Sequence, residues 1–201
     1  MSWLFKTLTK EEQFIENIKT FLVPRATLAG LGILNAAGEQ AIALSEGSPN
    51  QNKGHNLALL YGLIFLGMYT IDRRACERLA LEVRNFFIKN VAAQIHGVLG
   101  SKHLSSEDFL NYYANISVLY LSTNIPTTFR ESVSKLMDAT GGNIDNIRGL
   151  QEGNVEATVK DYALKLSKVI STCDFKTLDS YTRGTALHIG LVLTTDKQSQ
   201  A

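Results

Sequence analysis

Apolar positions recur along this chain at helical spacing almost throughout, and one stretch departs from that amphipathic pattern. Leu57 to Ile71, LALLYGLIFLGMYTI, carries no charge on any side of a helix and is followed at once by Asp72, Arg73 and Arg74. A helix that is apolar all round must be covered all round, by protein or by lipid. At about 1.5 Å per residue the run is roughly 22 Å long, short of the ~30 Å hydrocarbon core of a bilayer. His55 and Asn56, just before it, are poor lipid-facing residues, so cover by protein is the expectation. Arg73 and Arg74 would suit a cytoplasmic flank if the run met lipid instead.

The remaining segments supply candidates for that cover. Thr9-Lys10-Glu11-Glu12 has the pattern of a capping box and predicts a helix from near Lys10 through Phe14, Ile15, Ile18, Phe21 and Leu22, stopping before Pro24. Pro24 to Leu44 is a second segment rich in small residues, including Ala26, Ala29, Gly30, Gly32, Ala36, Ala37, Gly38 and Ala41. Each internal glycine costs a helix roughly 1 kcal/mol relative to alanine, which points to a second backbone packed close against it. Ser45 to Asn56, SEGSPNQNKGHN, reads as a loop.

From Ala75 to Val98 the apolar residues Leu79, Val83, Phe86, Phe87, Val91 and Ile95 mark one face, and the charges fall mostly elsewhere. This helix is expected to continue from the apolar run or to follow it directly, and to end at Gly97, Gly100 and Ser101. Ser105-Ser106-Glu107-Asp108 restarts a helix limited by Pro126, and Thr128 to Glu131 repeats the capping-box pattern before Gly141-Gly142. Asn143 to Gly153 offers a short turn around Ile144 and Ile147. Asn154 caps a stronger helix through Val155, Tyr162, Leu166 and Ile170, and Phe175 to Leu193 fits a last one. The end of that element, LHIGLVLTT, is β-prone, yet no other segment offers it a partner strand.

The fold class is therefore all-α: a single-domain helical bundle over residues 1–201, of about seven helices, with the fully apolar helix at its centre. The ends, 1–8 and 195–201, and the loop 45–56 are the segments expected to be flexible. Trp3, Leu4, Phe5 and Leu8 suit a terminal turn docked on the core better than an amphipathic foot on a membrane.

Composition narrows the function. At 45% hydrophobic and 19% charged the chain is not a disordered one, and 20 basic residues against 19 acidic give it no electrostatic draw on nucleic acid. Cys76 and Cys173 lack metal-site or disulfide-scaffold spacing and read as free thiols. The start lacks a basic region followed by a secretory apolar block, so a cytoplasmic location is the expectation.

No catalytic set assembles from the residue types. None of His55, His96, His103 or His188 has a glutamate three positions before it, as a di-metal bundle requires. Gly30-Leu31-Gly32-Ile33-Leu34-Asn35 lacks the third glycine and the preceding strand of a dinucleotide loop. Glu39 reads as solvated, Cys76 as an inert thiol on the apolar face, and His188 as a partly buried histidine bonded to backbone. Tyr112, Tyr113 and Tyr120 read as core. No cofactor, metal or catalytic residue is implied.

What remains is a non-enzymatic interaction or adaptor module with an apolar surface that receives a helix, its partner being another protein and a homo-oligomer being compatible with it. The residues pointed to are Gly30 and Gly32 on the small-residue face, and Arg74, Arg78 and Arg84 in the densest basic region, where Arg74, Arg78 and Glu82 share one side of a helix. Two alternatives stand beside it: membrane association through 57–71, and a bundle holding a lipid-like ligand in a cavity lined by Phe65, Met68, Phe86 and Tyr113.

Overall fold

A helix with no polar side to offer has to be enclosed, and the centre of the uncharged run is enclosed by the chain itself: Gly62 to Met68 are buried without interruption, and Ile71 with them, while Leu57 at its start is exposed. A computed structural model describes residues 10–45, 53–100, 105–122, 124–139, 141–150 and 152–188. Its described residues form α1 (Lys10–Ser45), α2 (Lys53–Cys76), α3 (Leu81–Leu99), α4 (Ser106–Tyr120), α5 (Ile125–Asp138), α6 (Glu152–Cys173) and α7 (Phe175–His188), with two short 3-10 turns between α5 and α6. Helix α2 packs against α1, α3, α4, α5 and α6, so an all-α bundle built around the apolar run is what the chain forms.

Glycines and tyrosines set the distances around that axis. At Gly67 a Cβ would lie 2.6 Å from the Tyr162 hydroxyl and 2.9 Å from Ile33, and at Gly62 it would lie 2.7 Å from Val133. Close approach lets the buried Tyr162 hydroxyl donate to the Leu63 carbonyl at 2.9 Å and the Tyr120 hydroxyl to that of Gly62 at 3.3 Å. Phe65, Phe109, Tyr61 and Tyr113 form a ring cluster on the same axis. Met68 is fully buried.

Several expectations about element ends are corrected. Pro24 does not stop a helix: α1 runs through it to Ser45. The proline sits on the exposed side, while Leu22, Ala26, Ala29, Ile33 and Ala37 form an unbroken buried line beneath it. Burial along that line offsets the ~3 kcal/mol a helix-interior proline costs. Arg25 braces the turn, its Nη1 donating to the Phe21 carbonyl at 2.9 Å and its guanidinium lying 4.0 Å over the Phe21 ring, which stacks on Tyr181.

The apolar helix does not continue into the next one either. Arg78 and Leu79 bond back to the Ala75 carbonyl, Ala80 is extended, and α3 starts at Leu81. Arg84 then reaches back to Asp72 with two bonds of 2.6 and 2.8 Å, and the Tyr113 hydroxyl donates to the same carboxylate at 3.0 Å. This tertiary clamp joins α2, α3 and α4, and no glycine or proline announces the turn in CERLA.

Asn154 and Thr128 lie inside helices that begin earlier, at Glu152 and Ile125; Pro126 occupies the first turn of α5, and Thr128 bonds back to the Asn124 carbonyl. The loop 45–56 gives way to α2 at Lys53. Ser105 caps α4 as expected, accepting from the Asp108 amide at 3.0 Å, and Gly100 at φ 58° closes α3. Thr9, the residues 1–8 and 195–201, and Ile189 to Leu193 lie outside the described residues.

Candidate functional site

Helix α1 lies between two neighbours drawn tightly against its flanks. At Gly30 a Cβ would lie 3.2 Å from Gln94 and 3.3 Å from the Val91 carbonyl of α3; at Gly32 it would lie 2.7 Å from Val169 of α6. On the α6 side, Lys165 spans to Glu39 at 3.2 Å and to the Gln40 amide oxygen at 3.2 Å. The small-residue face therefore does not wait for a partner. Ala26, Ala29, Ala36, Ala37 and Ala41 are buried in the chain's own core, and Gly30 and Gly32 seat α3 and α6. Their assignment to a docking surface is corrected accordingly.

What the seating leaves open is the opposite side of α1. Pro24, Leu28, Leu31, Asn35, Gly38 and Ile42 follow one another at alternating steps of four and three, which places them along a single ridge. Leu28 is 55% exposed, Leu31 43% and Ile42 62%, while a Cβ at Gly38 would meet nothing within 4 Å among the described residues. The ridge carries no charge. Glu39, beside it, is drawn off to Lys165, and its Oε1 accepts from the Asn35 amide at 3.1 Å. The spacing is present in the sequence, but the stop expected at Pro24 interrupts it and the alanine face overshadows it.

The basic residues do not form one patch. Arg74 is exposed and pairs with Glu77 at 3.0 Å, and Arg78 is exposed in the turn after α2. Arg84 is turned inward onto Asp72, the two side chains being 26% and 13% exposed. The break after Cys76 also removes the single helical side that Arg74, Arg78 and Glu82 were expected to share. The hydrogen bond to Asp72 raises the Arg84 pKa, and burial, followed by the charge of Asp72, raises that of Tyr113. Both groups are held in their protonated forms, which suits a clamp and does not suit a proton-transfer site.

The remaining candidates divide. Cys76 is exposed, against the expectation of an inert place on the apolar face, while Cys173 is buried and its thiol is pushed up to about 12 by desolvation. Glu39 is exposed as expected. Tyr112 is exposed, whereas Tyr113 and Tyr120 are core. His96 is half-buried beside the Phe109 ring; the side chains of His55, His103 and His188 lie outside the described residues. Among the described residues no three His, Cys, Asp or Glu side chains group as metal ligands.

Phe65 and Tyr113 pack against one another, and Phe86 instead lines a groove of about 160 Å³ with Phe14, Ile15, Ile18 and Val83, rimmed by Lys19 and Glu82. Within the described residues Glu12–Ser45 is the one helix long and apolar enough to cross a membrane, by length and composition alone. Comparison with protein-family models, with curated proteins and with solved structures finds no match to this chain.

Proposed function

We propose that the chain is a non-enzymatic helical interaction module whose docking surface is the outward ridge of α1. The observation that carries this reading is the uncharged, exposed line through Leu28, Leu31 and Ile42, set in a layer formed by α3, α1 and α6. Scattered exposed leucines are ordinary on a protein surface; an apolar line of regular four-and-three spacing on one helix is the form that a second helix recognises. A glycine on the line permits close approach of that helix.

The membrane alternative attaches to 57–71, of which Gly62 to Met68 are buried against the protein's own helices while Leu57 is exposed. The length and composition of α1 keep a lipid contact as the competing occupant of the ridge. Affinity capture from the native cell, followed by a carbonate wash, separates the two. The reading expects a carbonate-soluble assembly that Leu31→Asp abolishes and that Val118→Asp, at an exposed position on α4, leaves intact. An assembly indifferent to Leu31→Asp, or protein retained in the washed membrane, overturns it.

A further inference from the structure

We infer that the apolar groove between the N-terminal turns of α1 and α3 is the seat of the chain's own residues 1–9, with the Trp3 indole set against Ile15 and Phe86. The groove is lined by Phe14, Ile15, Ile18, Val83 and Phe86, carries Lys19 and Glu82 at its rim, and measures about 160 Å³. A cavity of about 150 Å³ walled by aliphatic and phenyl groups accepts a benzene ring, so this one has room for an aromatic side chain. Phe14, Ile18 and Val83 are buried and form its floor, whereas Ile15 is 49% exposed and Phe86 half-buried. Those two side chains are the open walls.

Connectivity, composition and charge select the occupant. The groove begins at Phe14, four residues after α1 opens at Lys10, so residues 1–9, outside the described residues, join the helix about 6 Å from it. From Lys10 to the middle of the groove is roughly 10 Å, which three residues of extended chain cover at ~3.3 Å each. A turn over residues 7–9 brings residues 3–5 onto the groove, and the capping-box sequence at Thr9 is where helical geometry is expected to end. Trp3, Leu4 and Phe5 then supply two aromatic rings and a leucine in three consecutive residues. Aromatic rings bury the most apolar area per side chain and gain further from phenyl neighbours, which this groove offers in Phe14 and Phe86.

The rim matches as well. Lys19 is drawn to Glu16 at 2.8 Å, whereas among the described residues Glu82 has no cation paired with it. Residues 1–9 carry one charged side chain, Lys6, of the sign opposite to Glu82. The other terminal stretch, 189–201, has no aromatic residue, and its first charge is Asp196.

Trp3 is the only tryptophan in the chain, so its fluorescence reads the groove directly. In the full purified chain its emission should lie to the blue of the urea-unfolded chain and be shielded from acrylamide, at every protein concentration and without lipid. Ile15→Asp, at an exposed position, should return the emission to the red and open it to quenching while circular dichroism is unchanged. Phe86→Ala should do the same by removing a wall without adding charge, and Val118→Asp on α4 should change nothing. Emission already at the unfolded wavelength, or a shielded Trp3 indifferent to both groove variants, overturns the inference. Shielding that grows with protein concentration would put a second copy at Trp3, and shielding found only with phosphatidylcholine vesicles would put lipid there; either overturns it. The docking reading of the α1 ridge is untouched by these outcomes, because the groove lies before Pro24 and the ridge after it.

Discussion

Two apolar helices of this chain meet opposite fates. Helix α2 is buried from Gly62 to Met68 on every side, whereas α1 is buried along one line and keeps an uncharged ridge open on the other. Both use glycine for close approach, yet Gly62 and Gly67 of α2 meet Val133, Tyr162 and Ile33, while Gly38 of α1 meets nothing within 4 Å. Apolar sequence alone therefore does not distinguish a core axis from a half-exposed helix. What separates them is how many helix faces pack round each, and among the described residues five pack on α2 while none packs on the outward side of α1.

The contrast can be broken most forcefully by placing the same charge in both helices. Leu63→Asp buries an unpaired carboxylate in the axis and should abolish folding, a loss above ~4 kcal/mol. Leu31→Asp in dilute protein should stay within ~0.5 kcal/mol of the parent, since water reaches the side chain. Circular dichroism during urea titration measures both; comparable losses would show that α1 is enclosed as α2 is.

The glycines sharpen the same comparison at smaller magnitude. Gly67→Val should destabilise by ~1–3 kcal/mol, because Tyr162 and Ile33 occupy the space. Gly38→Ala should instead stabilise the monomer by up to ~1 kcal/mol through helix propensity. Urea midpoints that fall for both variants would mean that Gly38 is also packed.

A different perturbation probes the axis through its ionisable groups. Burial raises the pKa of Tyr120, Tyr162 and Tyr113, and desolvation takes Cys173 from an ordinary 9.0 to about 12. Below about pH 8 these groups are neutral in both the folded and unfolded chain and their titration changes nothing. Above it the unfolded chain releases protons that the folded one retains, so stability should fall as pH rises towards 12. The urea midpoint against pH checks the sign. A flat profile, with all tyrosines ionising near their ordinary value in the folded protein, would contradict the enclosure of α2.

Much of the fold was legible in the sequence, because burial on all sides and amphipathic spacing are local signals. Leu57 to Ile71 announced the axis, Ser105 the start of α4, and the faces through Val83 and Tyr162 the cover. The misread points all turn on tertiary context. Pro24 is tolerated because it faces outward, and the turn after Cys76 is held by Arg84, Asp72 and Tyr113 from three different helices. The candidate site was hidden for a related reason. Alanine and glycine on α1 drew attention to the side that the chain covers for itself, and the Leu28–Leu31–Ile42 ridge becomes visible only once α1 is known to run unbroken through Pro24.

Thiol labelling tests the openness and use of that ridge most directly. In a Cys76→Ser background, Leu28→Cys and Val118→Cys should react with a maleimide at similar rates in dilute purified protein, since both positions are exposed and Cys173 is buried. In intact cells the rate at position 28 should drop at least about tenfold while that at 118 holds, because a bound helix excludes the reagent from α1 alone. Equal rates at the two positions in cells would contradict the ridge as a docking face.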